Sequence, residues 1–202
     1  KIMAVGPEQK LRSLLMPNSE TIDLQGNTLL PGFIDPHTHP LVSTFLYGMI
    51  DLGGLTYSQP YEVWTHLESE VKQFNPGEWI LCKGFDQVLI DGLLPPQISY
   101  LDSIAPHNPL MIVSTSLHSY WVNSMGFQRA GISHQTENPS NESFYGRDED
   151  GKLNGFISEQ QAFNPIKDAI INDMGKSTIL KNSVNVLEEY AKNGNTSIVS
   201  MG

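Results

Sequence analysis

The stretch LLPGFIDPHTHP, residues 29–40, places two histidines one residue apart, behind a short apolar run and a proline–glycine turn. In a strand alternate residues point the same way, so His37 and His39 share one face and Thr38 takes the other. Two imidazoles at a strand end can each reach one metal ion at about 2.0–2.1 Å. An isolated His-x-His can equally be two loop residues that hydrogen-bond locally. The flanks favour the metal alternative, because Pro31–Gly32 and Pro36 bracket one short strand. A chain enters a barrel strand in this way and presents side chains at its carboxyl end, where barrel enzymes keep their chemistry.

Upstream, KIMAVG and ETIDLQGNTLLPG (residues 20–32) are expected to form short strands around a Gly26–Asn27 turn. Downstream, SQPYEVWTHLESEVKQFNPG (58–77) predicts a helix capped by Ser58, with Pro60 in its first turn. Val63, Leu67, Val71 and Phe74 recur at helical spacing, and Asn75–Pro76–Gly77 stops the run. EWILCKGF (78–85) and LMIVST (110–115) read as strands, the second buried, with HSYWVNS beyond them. Residues 133–153 are polar and predict an exposed excursion. STILKNSVNVLEEYAKNG (177–194) predicts a second helix, striped by Ile179 or Leu180, Val184, Leu187 and Ala191 and stopped at Asn193–Gly194. TSIVSMG (196–202) reads as a final strand.

The 202 residues suffice for one sizeable domain or two small ones, and 39% of them are hydrophobic, a fraction that fits a globular chain. The net charge of −10 and the absence of a basic cluster argue against nucleic-acid binding. No apolar run approaches the roughly 18 residues that span a bilayer. No membrane association is therefore expected, and a cytoplasmic setting is the default. The single Cys82 has no disulfide partner and reads as small core filler. Trp64, Trp79 and Trp121 sit inside apolar patterns and are assigned to the core.

The segment LPGFIDPHTH resembles the first metal-binding motif of the amidohydrolase superfamily, the metal-dependent hydrolases built on a (β/α)₈ barrel. DLGG, EWILCKGFDQ, LDSIAPHNPLMIVSTSLHSYWVNSMGFQRAGI, RDEDGKLNGFISE and NGNTSIVSMG resemble, in the same order, its amidohydrolase-3 branch. The resemblance implies an α/β to α+β chain. A partial small β-sandwich occupies 1–31, the first barrel strand with the metal motif 32–55, and a large inserted α+β segment 56–175. A barrel helix and second barrel strand occupy 176–202. A complete barrel needs about 250 residues, so the chain is expected to be cut at both ends and to lack turnover of its own. None of His66, His107 and His134 lies at the end of a plausible later barrel strand.

The cofactor implied by the resemblance is a divalent metal, zinc before others, one or two ions held by His37 and His39. Glu159, in LNGFISEQQA, matches a carboxylate that approaches the metal in this branch; a first-turn helix glutamate is the alternative. His118 matches a histidine near the substrate cleft, followed by Asn123 and Ser124, which can equally form a turn and a helix cap. Asp86, with Phe85 in place of the usual Trp, is either a substrate contact or a loop hydrogen-bonder, the latter favoured. Lys83 lies in the inserted segment and reads as a solvated lysine. The implied activity is hydrolysis of non-peptide carbon–nitrogen bonds in amides, formamides or cyclic amides. A deaminase or other ring-opening hydrolase is the alternative within the superfamily, and a non-catalytic small-molecule-binding or interaction domain the alternative outside it. The expected partners are a small-molecule substrate and, through unpaired strand edges near Phe33, Ile34, Ile198 and Val199, further copies of the chain.

Overall fold

A computed structural model describes residues 2–201. Lys1, which opens the expected KIMAVG strand, and Gly202, which closes the expected last strand, lie outside the described residues. The elements in order are α1 (Glu8–Leu11), a 3₁₀ turn (Arg12–Leu14), β1 (Phe33–Thr38), α2 (Pro40–Leu46), β2 (Ile50–Asp51), α3 (Pro60–Val71), β3 (Ile80–Phe85) and α4 (Ile98–Ile104). There follow β4 (Leu110–Ser114), β5 (Ser119–Val122), α5 (Ser124–Arg129), β6 (Phe144–Arg147), β7 (Leu153–Ser158), α6 (Glu159–Lys192) and β8 (Asn195–Ser200).

Six strands form one sheet in the order β2-β3-β4-β5-β7-β6. β2, β3 and β4 run parallel, and β5, β7 and β6 continue the sheet antiparallel. β4 is buried at every residue, as a central strand covered on both faces must be. Its side chains alternate between two cores. Leu110 and Ile112 join Leu67 of α3 and Leu101 of α4 on one face. Met111 and Val113 join Phe127 of α5 and Phe163, Ile166 and Ile170 of α6 on the other. The result is a three-layer arrangement of helices, sheet and helices. Cys82 is fully buried in the first core, and desolvation lifts its thiol pKa well above the ordinary range.

A second, two-stranded sheet pairs β1 with β8 in parallel, Phe33 opposite Asn195 and Thr38 opposite Ser200. Gly32 is required at its entry, because a Cβ there would run into the Thr196 side chain. No closed barrel forms among the described residues.

Several expectations are corrected. Residues 2–31 contain α1 and the 3₁₀ turn but no strand. Ile2, Val5, Ile22 and Leu29 stay exposed there, and no strand among the described residues pairs with them. The polar 133–153 stretch includes β6, which pairs with β7 and buries Tyr145. Gln59, not Ser58, is the cap residue of α3. The Glu62 carboxylate instead accepts the backbone N–H groups of Ser58 and Gln59, which hold its pKa below the usual carboxylate value. The second helix begins at Glu159 and breaks at Gly175, whose φ of 73° and ψ of 158° are not helical. Beyond the break Val186 is buried, while Leu180, Val184 and Leu187 are exposed. One covered side there faces α2, where Thr44 meets Ser183.

Candidate functional site

β1 delivers His37 and stops at Thr38; His39 follows as the N-cap residue of α2. Thr38 is buried and donates its hydroxyl hydrogen to the Val199 carbonyl of β8. Pinning Thr38 leaves both histidines exposed. Their ring centres are 5.2 Å apart at an interplanar angle of 69°. The backbone N–H of His37 donates to Asp35 Oδ1, which fixes the strand end. Two imidazoles bound at about 2.0–2.1 Å to one tetrahedral ion have ring centres roughly 5 Å apart. The separation of the pair equals that spacing, and two imidazoles would supply two of the three protein ligands typical of catalytic zinc.

Glu159 does not join them. Among the described residues no group of three or more His, Cys, Asp or Glu is placed to hold a metal. The Glu159 carboxylate meets His118 Nδ1 at 2.8 Å, and its backbone N–H donates to the His118 carbonyl at 2.9 Å. His118 lies in the β4–β5 turn, whose shape rests on hydroxyls. Ser114 Oγ accepts the Ser119 N–H, and Ser116 Oγ accepts the N–H of His118. Two non-glycine residues in this joint adopt positive φ, Leu117 at 63° and Glu159 at 65°. Such conformations cost of order 1–3 kcal/mol and persist only where surroundings over-determine them.

Ser143 supplies part of that surrounding. Its hydroxyl donates to the Ser158 carbonyl and accepts the Ala162 N–H at 2.7 Å, satisfying a donor in the first turn of α6. The sequence carries no mark of this role, because Ser143 sits in the polar stretch far from the helix it serves. Asn123 is likewise structural: Oδ1 accepts from Leu110 and from Gly126, capping α5, while Nδ2 donates to the Asn108 carbonyl.

Asp86 follows β3. Its Oδ1 accepts the N–H groups of Val88 and Leu89, and those bonds, Leu89 first, lower its pKa. It borders a cleft of about 500 Å³ that also involves Thr115, Ser116, Ser119 and Trp121. A second cavity, of about 460 Å³, lies on the other side of the β4–β5 turn. Leu41, Leu117 and Gln160, close chain neighbours of His39, His118 and Glu159, all contribute to it. Tyr120 in its wall is desolvated and feels the Glu159 charge, which together push its hydroxyl up to about 12. Lys83 lines a third cavity, about 480 Å³, with Tyr47 and Glu189.

His37 with His39, and His118 with Glu159, are thus the two pairs that the fold brings together, and Asp86 stands at the same carboxyl end of β3 and β4 as His118. The solved structure of an uncharacterized metal-dependent hydrolase from Pyrococcus horikoshii has this fold. It aligns with a TM-score of 0.61 and 20% identity over 96% of this chain and 35% of its own. That likeness is one of fold.

The amidohydrolase family model matches residues 20–202, and the chain belongs to that family. An N-substituted formamide deformylase from Arthrobacter pascens is 31% identical over 173 residues, 86% of this chain and 32% of the relative. The putative amidohydrolase YtcJ of Bacillus subtilis is 27% identical over 125 residues, 61% of this chain and 23% of its own length. The chain thus spans about a third or less of these curated relatives. No helix among the described residues is long and apolar enough to cross a membrane.

Proposed function

We infer that the whole protein is a metal-dependent hydrolase of non-peptide carbon–nitrogen bonds, acting on an amide, formamide or cyclic amide, and that this chain carries the first part of its site. The observation that carries it is the His37–His39 pair, 5.2 Å between ring centres at the carboxyl end of β1. Family membership and the N-substituted formamide deformylase relative support the choice of bond. The adjacent parallel strands β1 and β8 suit neighbouring strands of a (β/α)₈ barrel, the architecture assigned here to the whole protein, with 56–175 as its inserted unit and the cytoplasm as its setting.

His37 and His39 would hold the ion, zinc on the chemistry of two imidazole donors. When bound, such an ion polarises a carbonyl and lowers the pKa of water to about 7. The residues present do the rest by placement. Asp35 and Thr38 fix the strand end that carries both rings. Glu159 holds His118 through Nδ1, leaving Nε2 to meet a polar group of the substrate. Asp86, with Val88 and Leu89 donating to Oδ1, would contact substrate from the border of the cleft.

The test is metal analysis and an amidase and formamidase panel with added zinc, run on residues 1–202 and on the full-length product. Metal-dependent turnover by the full-length product, abolished by His37→Ala, and none by the short chain is expected. Turnover by residues 1–202 that His37→Ala abolishes would mean that the missing ligands are not needed. Full-length protein without metal or hydrolysis would favour a small-molecule-binding domain.

A further inference from the structure

The cavity of about 460 Å³ between α2, the β4–β5 turn and α6 has a size typical of small-molecule sites. Its walls are apolar and stiff. Tyr120 stacks on Phe163 with ring centres 3.8 Å apart and planes 5° from parallel, and Phe45 meets Phe163 edge-on at 6.3 Å. The Tyr120 hydroxyl is already spent on the Leu117 carbonyl. Into this wall α6 inserts one cation, Lys167. Lys167 is half-buried, and its ammonium donates to the neutral Asn164 Oδ1 at 2.9 Å. No carboxylate lies within ion-pair distance of it among the described residues. The adjacent acid, Asp168, is exposed and does not line the cavity, and Glu159 is engaged by His118.

An ammonium at the edge of an apolar wall gains from an anion that meets it, more than from the neutral amide it holds here. Lys167 is the one charged side chain among the residues lining this cavity. We propose that this cavity binds the part of the substrate remote from the scissile bond, and that this part is an apolar group, aromatic or branched, ending in a carboxylate that pairs with Lys167. The aromatic stack takes the apolar body. Lys167, a point charge on a flexible stem, takes the anion. The proposal rests on the hydrolase reading for calling the ligand a substrate, and adds its chemical class.

The test is equilibrium binding to residues 1–202 in chelated, metal-free buffer, so that turnover plays no part. The probes share one apolar body and differ in head group: 3-phenylpropanoate, 3-phenylpropan-1-ol and 3-phenylpropylamine. The acid is expected to bind at least about tenfold tighter than the alcohol, with the amine weakest. Amide shifts should be confined to Leu41, Val113, Phe163 and Lys167. Lys167→Met should bring the acid down to the alcohol's affinity, and Lys167→Arg should restore most of the preference. Lys167→Gln serves if the methionine variant melts early. Equal affinity for all three probes, shifts elsewhere, or an acid preference that survives Lys167→Met or Lys167→Gln would overturn the assignment. Failure of the hydrolase reading would show separately, as absent metal and turnover in the full-length product.

Discussion

Glu159 combines a left-handed backbone, φ 65°, with a side chain committed to an exposed histidine. The His118–Glu159 contact is more than a third exposed on both sides, and exposed contacts of that kind contribute about 0–1 kcal/mol. The backbone conformation costs more, of order 1–3 kcal/mol for a non-glycine residue. Glycine would remove that strain while losing the pair. Glu159→Gly is therefore expected to stabilise the chain by about 1 kcal/mol, raising Tm by roughly 2–4 °C, while freeing the His118 ring. Thermal unfolding followed by circular dichroism measures the first effect. A lowered Tm would show that the His118 contact outweighs the strain, and that Glu159 is kept for stability. The sequence made the histidine pair legible, because a two-residue period needs no tertiary information. It could not reveal which residue Glu159 would meet, since His118 is 41 positions away and reaches it only through the β5–β7 pairing.

The helix α6 illustrates what element-level patterns can and cannot disclose. The periodicity of α3 is read correctly because Val63, Leu67 and Val71 all face one core. In α6 after Gly175, Val186 is buried while Leu180, Val184 and Leu187 stay exposed, so the striping there predicts a helix but not its buried face. The first half of α6 was hidden by Pro165, which sits inside the helix where proline is usually a stop. Its start is held from outside by Ser143, nearly fully buried. Ser143→Ala would leave the buried Ala162 N–H unpaired and remove the donor to the Ser158 carbonyl. A loss of about 1–3 kcal/mol is expected, read as a lower midpoint in urea with an unchanged slope. Hydrogen exchange of the amides around Glu159 should accelerate in the same variant. Unchanged stability would mean that water replaces the hydroxyl, and that the α6 start is fixed by the His118 joint alone.

At the scale of the whole molecule, apolar burial is uneven. The six-stranded sheet has helices on both faces, whereas β1 and β8 form a parallel pair with both edges open among the described residues. Phe33 and Ile34 are 58% and 69% exposed, and Val199 46%. Parallel strands are normally covered on both faces, two strands alone are marginal, and open apolar edges pair with other chains. Opposing this, a net charge of −10 makes copies repel, and that repulsion is screened beyond about 10 Å at 0.1 M salt. Self-association of residues 1–202 should therefore strengthen as salt rises, the opposite of an interface held by ion pairs. Ile34→Lys with Val199→Lys provides the decisive variant. It lowers the net negative charge by two and so weakens repulsion, yet it is expected to leave the chain monomeric, because it charges the strand faces that would pair. Sedimentation velocity at low and at half-molar salt measures both effects. A wild-type chain that stays monomeric at high salt and roughly 100 μM would show that these edges are protected by the chain itself, and a double variant that still associates would move the contact to the exposed Leu180, Val184 and Leu187 face of α6.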